Sequence, residues 1–412
     1  MFFGKNRNEW HPGTIYTVVN VLRALGMASH ATIYSLFLRQ IGITQDRISL
    51  LNSFFWLVLI LSELPTGMLA DGRSRAWSVK IGSVCLGLGV ASYALAWNFW
   101  SALASEALIG IAFAFLSGAE QAWLTDALDA RGEKDSLKNV YAKTSVWGSI
   151  SFIVGGVIGD RVGYWIDYRA SWLIGGIFIL LGSLVAVRLM NKQGEPSHRL
   201  TEMQALKKSI KALKFSPGLS WAVLAAMSLG FVNPFNHLWN QFFEPRLQGY
   251  SLSWIWIPLY GSCALAGFIV RRMEFTKGRE AGAMLAMLGL SGLGMVALGY
   301  FPGLAMPLVI TIVHEIGRGA YVPLADVYVQ RRVESGYRAT YGSLHSFLGR
   351  MGNMVVLAAV WFFSRHLVDG EPKIVAIWTV CGSLLVLSSI VLFFFRPEAK
   401  TSDATLAEPA QN

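Results

Sequence analysis

Charge is scarce in this 412-residue sequence: Asp, Glu, Lys and Arg together make up 15% of it, against about a quarter in ordinary globular chains. A water-soluble surface cannot be built from so little. Cysteine is nearly absent too, and Cys85, Cys263 and Cys381 each stand alone in a separate apolar run. That pattern offers neither metal-ligand spacing nor a disulfide framework and leaves them as packing residues. No Gly-rich loop ends in Lys-Ser or Lys-Thr, so ATP hydrolysis has no signature, and the seven histidines are scattered. Segments of about ten residues alternating in polarity, the mark of a membrane β-barrel, are missing as well. Although the net charge is +10, the basic residues do not gather with aromatics on a soluble face, which removes nucleic acid as a partner.

What the sequence has is apolar runs, with 54% hydrophobic residues. The runs expected to cross a bilayer as helices are 15–38, 48–70, 79–97, 101–126, 142–159, 170–188, 219–243, 253–271, 281–300, 303–328, 340–364 and 374–395. With the N-terminus placed inside, the N-terminal segment, even-numbered loops and tail, counted with the adjoining span ends, hold 25 Lys and Arg against 7 in the odd-numbered loops. This positive-inside pattern predicts a multi-pass protein of a bacterial cytoplasmic membrane with both termini cytoplasmic, and no removable signal peptide is expected.

The long loop between spans six and seven begins polar at Gly194 to Arg199 and continues LTEMQALKKSIKALKF. Leu200, Met203, Leu206, Ile210 and Leu213 form one apolar helical stripe with Lys207, Lys208, Lys211 and Lys214 mostly off it, which predicts an amphipathic helix on the membrane surface. The chain therefore divides into a six-helix bundle at 1–190, a linker at 191–217, a second bundle at 218–397 and a tail at 398–412. Residue types recur at an offset of 200: Gly67 with Gly267, Leu124-Thr-Asp126 with Leu324-Ala-Asp326, Tyr141 with Tyr341. Both halves enter the membrane in the same direction, so the repeat is parallel and leaves a cavity between its copies.

From Glu63 to Lys80 the sequence reads ELPTGMLADGRSRAWSVK. Gly67-x-Leu69-Ala70-Asp71 followed by Arg75 resembles the cytoplasmic loop signature of the major facilitator superfamily. The Glu-x-Pro-Thr-Gly lead-in, SGAEQAWLTDAL at 117–128 and Arg338-Ala339-Thr340 resemble a bacterial branch of drug and metabolite exporters. The resemblance implies an all-α integral membrane fold of twelve transmembrane helices in two parallel-repeat six-helix bundles. Two departures are Gly72 where the family usually has arginine, and Ser74 where it has glycine. The antiporter signature of span five survives only as Gly155-Gly156-Val157-Ile158-Gly159-Asp160, without its proline. Gly67 is expected to permit close helix approach, and Asp71, Arg75 and Asp126, with Asp326 and Arg338 in the second half, to form the gating seam, Asp126 pairing with Arg75.

Ionisable residues at membrane depth are functional candidates by default. Counting 1.5 Å per residue places Arg23 and Glu63 about 12–14 Å deep, and Glu315 and Arg350 about 16–18 Å deep; each couple is expected to pair. Glu120 falls about 9 Å above Asp126. Glu106 lies near the outer face. On span ten, His314, Glu315 and Arg318 share a helical face. The resemblance implies that spans one, four, seven and ten line the cavity. Arg23, His30, Glu120, His237, His314 and Arg318 then become candidate substrate residues, joined by Asn236 and Asn240 beside Pro234. The competing expectation is that these groups satisfy one another in helix packing. Trp97, Trp100, Trp165, Trp172 and Trp254 are expected as interfacial anchors, with Trp123 and Trp239 as possible stacking partners for a ligand.

The function expected is export of a small organic molecule coupled to inward proton flow, with Glu63 and Glu315 as proton carriers. Its rivals are uptake or facilitated diffusion of an organic anion held by Arg23 and Arg318, lipid flipping, and a non-transporting receptor or assembly factor. No cofactor, metal or enzymatic activity is expected. The chain is expected to work as a monomer, with its solute, protons and lipid as partners.

Overall fold

In the computed structural model the described residues are 10–72, 74–190, 211, 216–272, 279–330, 332 and 338–397, without the side chains of 64, 68–72, 134, 271, 330, 338–340 and 343. The first half comprises α1 (Pro12–Ala31), α2 (Tyr34–Gln40), α3 (Gln45–Gly72), α4 (Arg75–Ser92), α5 (Phe99–Leu116), α6 (Ala119–Asp129), α7 (Leu137–Trp165) and α8 (Tyr168–Leu189). The second comprises α9 (Pro217–Ser228), α10 (Asn233–Phe243), α11 (Ser253–Arg272), α12 (Arg279–Ala297), α13 (Ala305–Gln330), α14 (Arg338–Ser364) and α15 (Glu371–Phe394). Nine of the described helical segments are long and apolar enough to cross a bilayer, and α1 with α2, bent by 46°, makes a tenth. At 28 and 29 residues, α3 and α7 are also long enough to cross a bilayer. The amphipathic stripe expected at 200–214 lies outside the described residues, Lys211 excepted.

Helix ends follow from local chemistry. Pro12 opens α1 where its missing N–H costs nothing, and His11 Nδ1 accepts from Gly13 N–H at 3.1 Å. Ser74 caps α4 by accepting from Trp77 N–H at 3.1 Å, and Asn98 and Ser101 form a capping box at α5. The span expected at 219–243 runs as α9, a 3₁₀ turn over Leu229–Val232, then α10. Pro234 has no N–H for the Gly230 carbonyl, which takes Asn233 Nδ2 at 3.3 Å.

Packing repeats with the sequence. In the first half α1 lies on α7, α4 on α8 and α3 on α5; in the second α9 lies on α14, α12 on α15 and α11 on α13. The two halves meet where α3 packs on α14 and α7 on α11. Tyr141 packs edge-on against Tyr16 of α1, and its counterpart Tyr341 donates to the Leu219 carbonyl of α9 at 3.0 Å.

Two expectations about packing are corrected. A Cβ on Gly67 would meet nothing within 4 Å among the described residues, so this glycine makes no close helix approach to any of them; close approach falls to Gly155 and Gly159, whose Cβ positions would lie 2.4 Å from Leu25 O and 1.6 Å from Ser29 O of α1. Trp172 is no interfacial anchor. It is 1% exposed and stacked between His30 at 4.1 Å and Tyr93 at 4.0 Å, while Trp97, Trp100, Trp165 and Trp254 are each about two-thirds exposed or more.

Candidate functional site

A cavity of about 1030 Å³ opens between the halves toward the end that carries the termini, lined by α7, α10, α11, α13 and α14. Asn236 and Arg318 of the sequence candidates line it, with Asn233 of the same Pro234 stretch and with Asn353 and Ser149, which the sequence did not single out. Exposed Val146 and Ile150 recur four residues apart on α7; an apolar stripe of that kind was the only sequence signal for this wall.

The ion pairs differ from those expected by depth. Arg23 does not meet Glu63; its Nη2 donates to Glu120 at 2.7 Å, and Asn20 bonds both, donating to Glu120 at 2.7 Å and accepting from Arg23 at 2.5 Å. Glu63 instead pairs with Arg350 of α14 across the halves and accepts from Ser117 Oγ at 3.1 Å. Glu315 does not meet Arg350 but pairs with Arg318 three residues on, at 2.5 Å. Depth is blind to azimuth. Arg23 lies on the side of α1 that faces α6, and α3 is turned toward α14.

Other candidates leave the cavity. His30 is buried in the first bundle, its Nδ1 3.2 Å from the Gly26 carbonyl. His314, fully buried, contacts the Ser291 carbonyl at 2.8 Å and packs on Phe235. His237 lies 6.0 Å from the Tyr34 ring, centroid to centroid, with its Nε2 buried and unpartnered. Trp123 and Trp239 are buried in the cores, 2% and 1% exposed, so neither offers a free face to a ligand.

Asn240 belongs to a polar seam at the end of the molecule opposite the termini. Its Oδ1 accepts from Ser35 Oγ and its Nδ2 donates to the Thr32 carbonyl at 2.9 Å. Beside it Gln45 donates to Gln241 at 2.8 Å, and Lys373 reaches Asp46 and Asp369, each at 2.9 Å. On the other flank Asp160 of α7 accepts from Ser251 Oγ, from Ser253 N–H at 2.9 Å and from Ser253 Oγ at 2.5 Å. Ser253 is the first residue of α11, whose opening N–H groups lack helical partners, so a carboxylate from the other half caps it. Trp256 then packs against Gly156, where a Cβ would come within 2.1 Å of the indole, and its Nε1 donates to the Ile153 carbonyl at 3.2 Å. The glycine-rich stretch expected as a vestigial antiport signature thus packs α1 on one side and closes the seam on the other.

Asp160→Asn is expected to weaken this closed arrangement by about 1.5–3 kcal/mol, the worth of hydrogen bonds to a charged group. Spin labels on Trp165→Cys and Tyr250→Cys, both exposed beside the joint, should then show longer and broader distances; unchanged distances would remove Asp160 from the seam.

At the termini end, Arg75 pairs with Asp126 and also donates to the Ala122 carbonyl at 3.3 Å, tying the start of α4 to α6. Both residues belong to the first half. Asp326 is exposed on α13, and the side chains of Asp71 and Arg338 lie outside those described. No group of three or more His, Cys, Asp or Glu able to hold a metal occurs among the described residues.

The family model described as Major Facilitator Superfamily matches residues 16–357. The chain is 23% identical over 420 residues to an uncharacterized MFS-type transporter, YxaM, of Bacillus subtilis (strain 168), covering 95% of this chain and 97% of that protein. Among solved structures it is similar to a mutant form of the nucleoside transporter NupG, with a TM-score of 0.77 at 13% identity over 94% of this chain and 100% of that one. A bacterial homolog of the human lysosomal transporter Spinster gives 0.73 at 15% identity over 95% and 96%. At such identities these structures speak to the fold alone.

Proposed function

This chain belongs to the Major Facilitator Superfamily, and from that membership we propose that it exports a small organic molecule against inward proton flow, by alternating access and without ATP. The observation that carries the coupling is the Glu63–Arg350 pair, which joins α3 of one bundle to α14 of the other. Rocking of the bundles changes that separation. A carboxylate stripped of its cation at membrane depth takes up a proton, and one returned to its cation releases it. Glu315 serves this cycle less well, because Arg318 sits on its own helix and rigid-body motion leaves the pair intact.

The orientation that fits the charge bias puts the termini in the cytoplasm of a bacterium, so the cavity faces inward and the seam closes the outside. In this reading Arg75 and Asp126 brace the cytoplasmic end of α3, where Gly67 and Asp71 lie, and Asp326 and Arg338 do the same in the second half. The bundles are 1–190 and 218–397, the segment 191–217 links them, and the transporter works as a monomer.

The three interior arginines are matched by carboxylates, Arg23 by Glu120, Arg318 by Glu315 and Arg350 by Glu63. That balance favours an uncharged, hydrogen-bonding solute over an organic anion. The side-chain amides of Asn236 and Asn353, which line the cavity, are groups such a solute can use. A thermal-shift screen of purified protein with matched uncharged and anionic solutes tests this: uncharged ligands should stabilise, and Asn236→Ala should weaken their binding roughly tenfold, about one hydrogen bond's worth. Stabilisation by anions alone would overturn the assignment.

A further inference from the structure

Glu106, two turns into α5 from the seam end, is a buried carboxyl group, 5% exposed, that the ion pairs leave out. Among the described residues no cation pairs with it. Its partners are two phenols, Tyr93 at 2.7 Å and Tyr34 at 2.9 Å, both donating to Oε1. The Tyr34 hydroxyl has one proton to give and spends it here, while accepting from Asn52 Nδ2 of α3 at 3.0 Å. From α4 the adjacent polar contact is Ser92 to Ser105, at 2.8 Å and uncharged. Farther out lie His30, reached from Tyr93 through the Trp172 stack, and His237 beside the Tyr34 ring. The Arg169 guanidinium is turned to the Ala94 carbonyl at 2.5 Å.

A carboxylate buried without a cation depends wholly on its donors to stay ionised, so a proton can replace part of that support. Tyr34 links the group to the seam. It is the first residue of α2, just past the bend after α1, and its neighbour Ser35 bonds Asn240 of the other bundle.

We propose that Glu106 is a proton-binding site separate from Glu63 and Glu315, and that its occupancy is linked to the seam through Tyr34. A solvent proton adds to the carboxylate and leaves a neutral carboxyl group, a poorer acceptor for the two phenols. The Tyr34 hydroxyl is then held less tightly, and the start of α2 is freer to part from α10. This deepens the proton-coupled reading and rests on it for its role in transport, but the titration itself needs no solute.

Infrared difference titration of the purified full-length protein reads the protonated carboxyl stretch directly. The parent should show a band that appears on acidification, is lost in Glu106→Gln and is kept in Glu63→Gln. Tyr34→Phe removes a donor that favours the ionised form, so the midpoint should move about one pH unit to the alkaline side. Spin labels on Trp97→Cys and Tyr300→Cys, exposed on the two bundles, should change separation over the same pH range in the parent and become pH-independent in Glu106→Gln. No titrating band in the parent, or a band that survives Glu106→Gln, overturns the site; pH-dependent separations that persist in Glu106→Gln overturn the link. Should Glu106→Gln fail to fold, an unmoved midpoint in Tyr34→Phe is enough to overturn the proposal. A protein that titrates at Glu106 yet moves no protons with its solute would keep the site and defeat proton-coupled export.

Discussion

Gly159→Ala is expected to destabilise the first bundle by about 3 kcal/mol, the upper end of ordinary overpacking, and to lower the unfolding temperature by roughly 5 °C or more. The new Cβ would sit 1.6 Å from the Ser29 carbonyl oxygen; the oxygen belongs to one helix backbone and the Cβ is fixed in place by the other. Neither can rotate away. One helix must shift by more than an ångström, and α1 already presses on α8, where a Cβ on Gly26 would meet the Gly175 carbonyl at 2.4 Å. In a bilayer such close approach supplies much of the attraction between helices, since lipid solvates apolar faces as well as another helix does. Gly148→Ala on the same helix α7 is the control, because its Cβ would meet nothing within 4 Å. Equal unfolding temperatures for the parent and both variants would show that the α1–α7 contact yields more easily than its geometry implies.

Glu63→Gln should still bind solute and exchange it across reconstituted vesicles, while accumulation driven by a pH gradient falls roughly tenfold or more, since the amide cannot carry the proton. Arg350→Gln should impair the same step from the other side by leaving Glu63 without its cation. The side chains are 21% and 23% exposed, so both single variants should fold. Exchanging the charges, Glu63→Arg with Arg350→Glu, restores the cross-bundle pair and should recover part of the pH-driven accumulation. Parent-like accumulation in Glu63→Gln would reduce the pair to packing.

How far the site was legible varies residue by residue. Arg75 and Asp126 meet as expected because each sits at the termini end of its helix and the two helices lie side by side in one bundle. Depth matched Arg23 to Glu63, while Glu120, counted a few ångströms shallower, is the carboxylate it meets, because rise per residue does not say which face of which helix turns toward it. Asn240 looked like a ligand contact from its neighbours in sequence, yet Ser35 and Thr32 use it to close the seam. Glu106 was placed near the outer face with no role attached, because its partners Tyr34 and Tyr93 come from parts of the chain that no spacing rule connects.

The sequence by itself determined the solvent, the run of spans, the parallel repeat and the family, because each depends on composition, length or order along the chain. Hydrocarbon imposes those terms on every residue alike, whatever its neighbours. Only the tertiary structure decided the partners: Glu120 for Arg23, Arg350 for Glu63, two phenols for Glu106, an opposing helix for Asp160. Those choices rest on how each helix is rotated about its axis. Rotation is set by where glycines such as Gly155 and Gly159 let backbones touch, a property of two surfaces meeting and not of either strand of sequence alone.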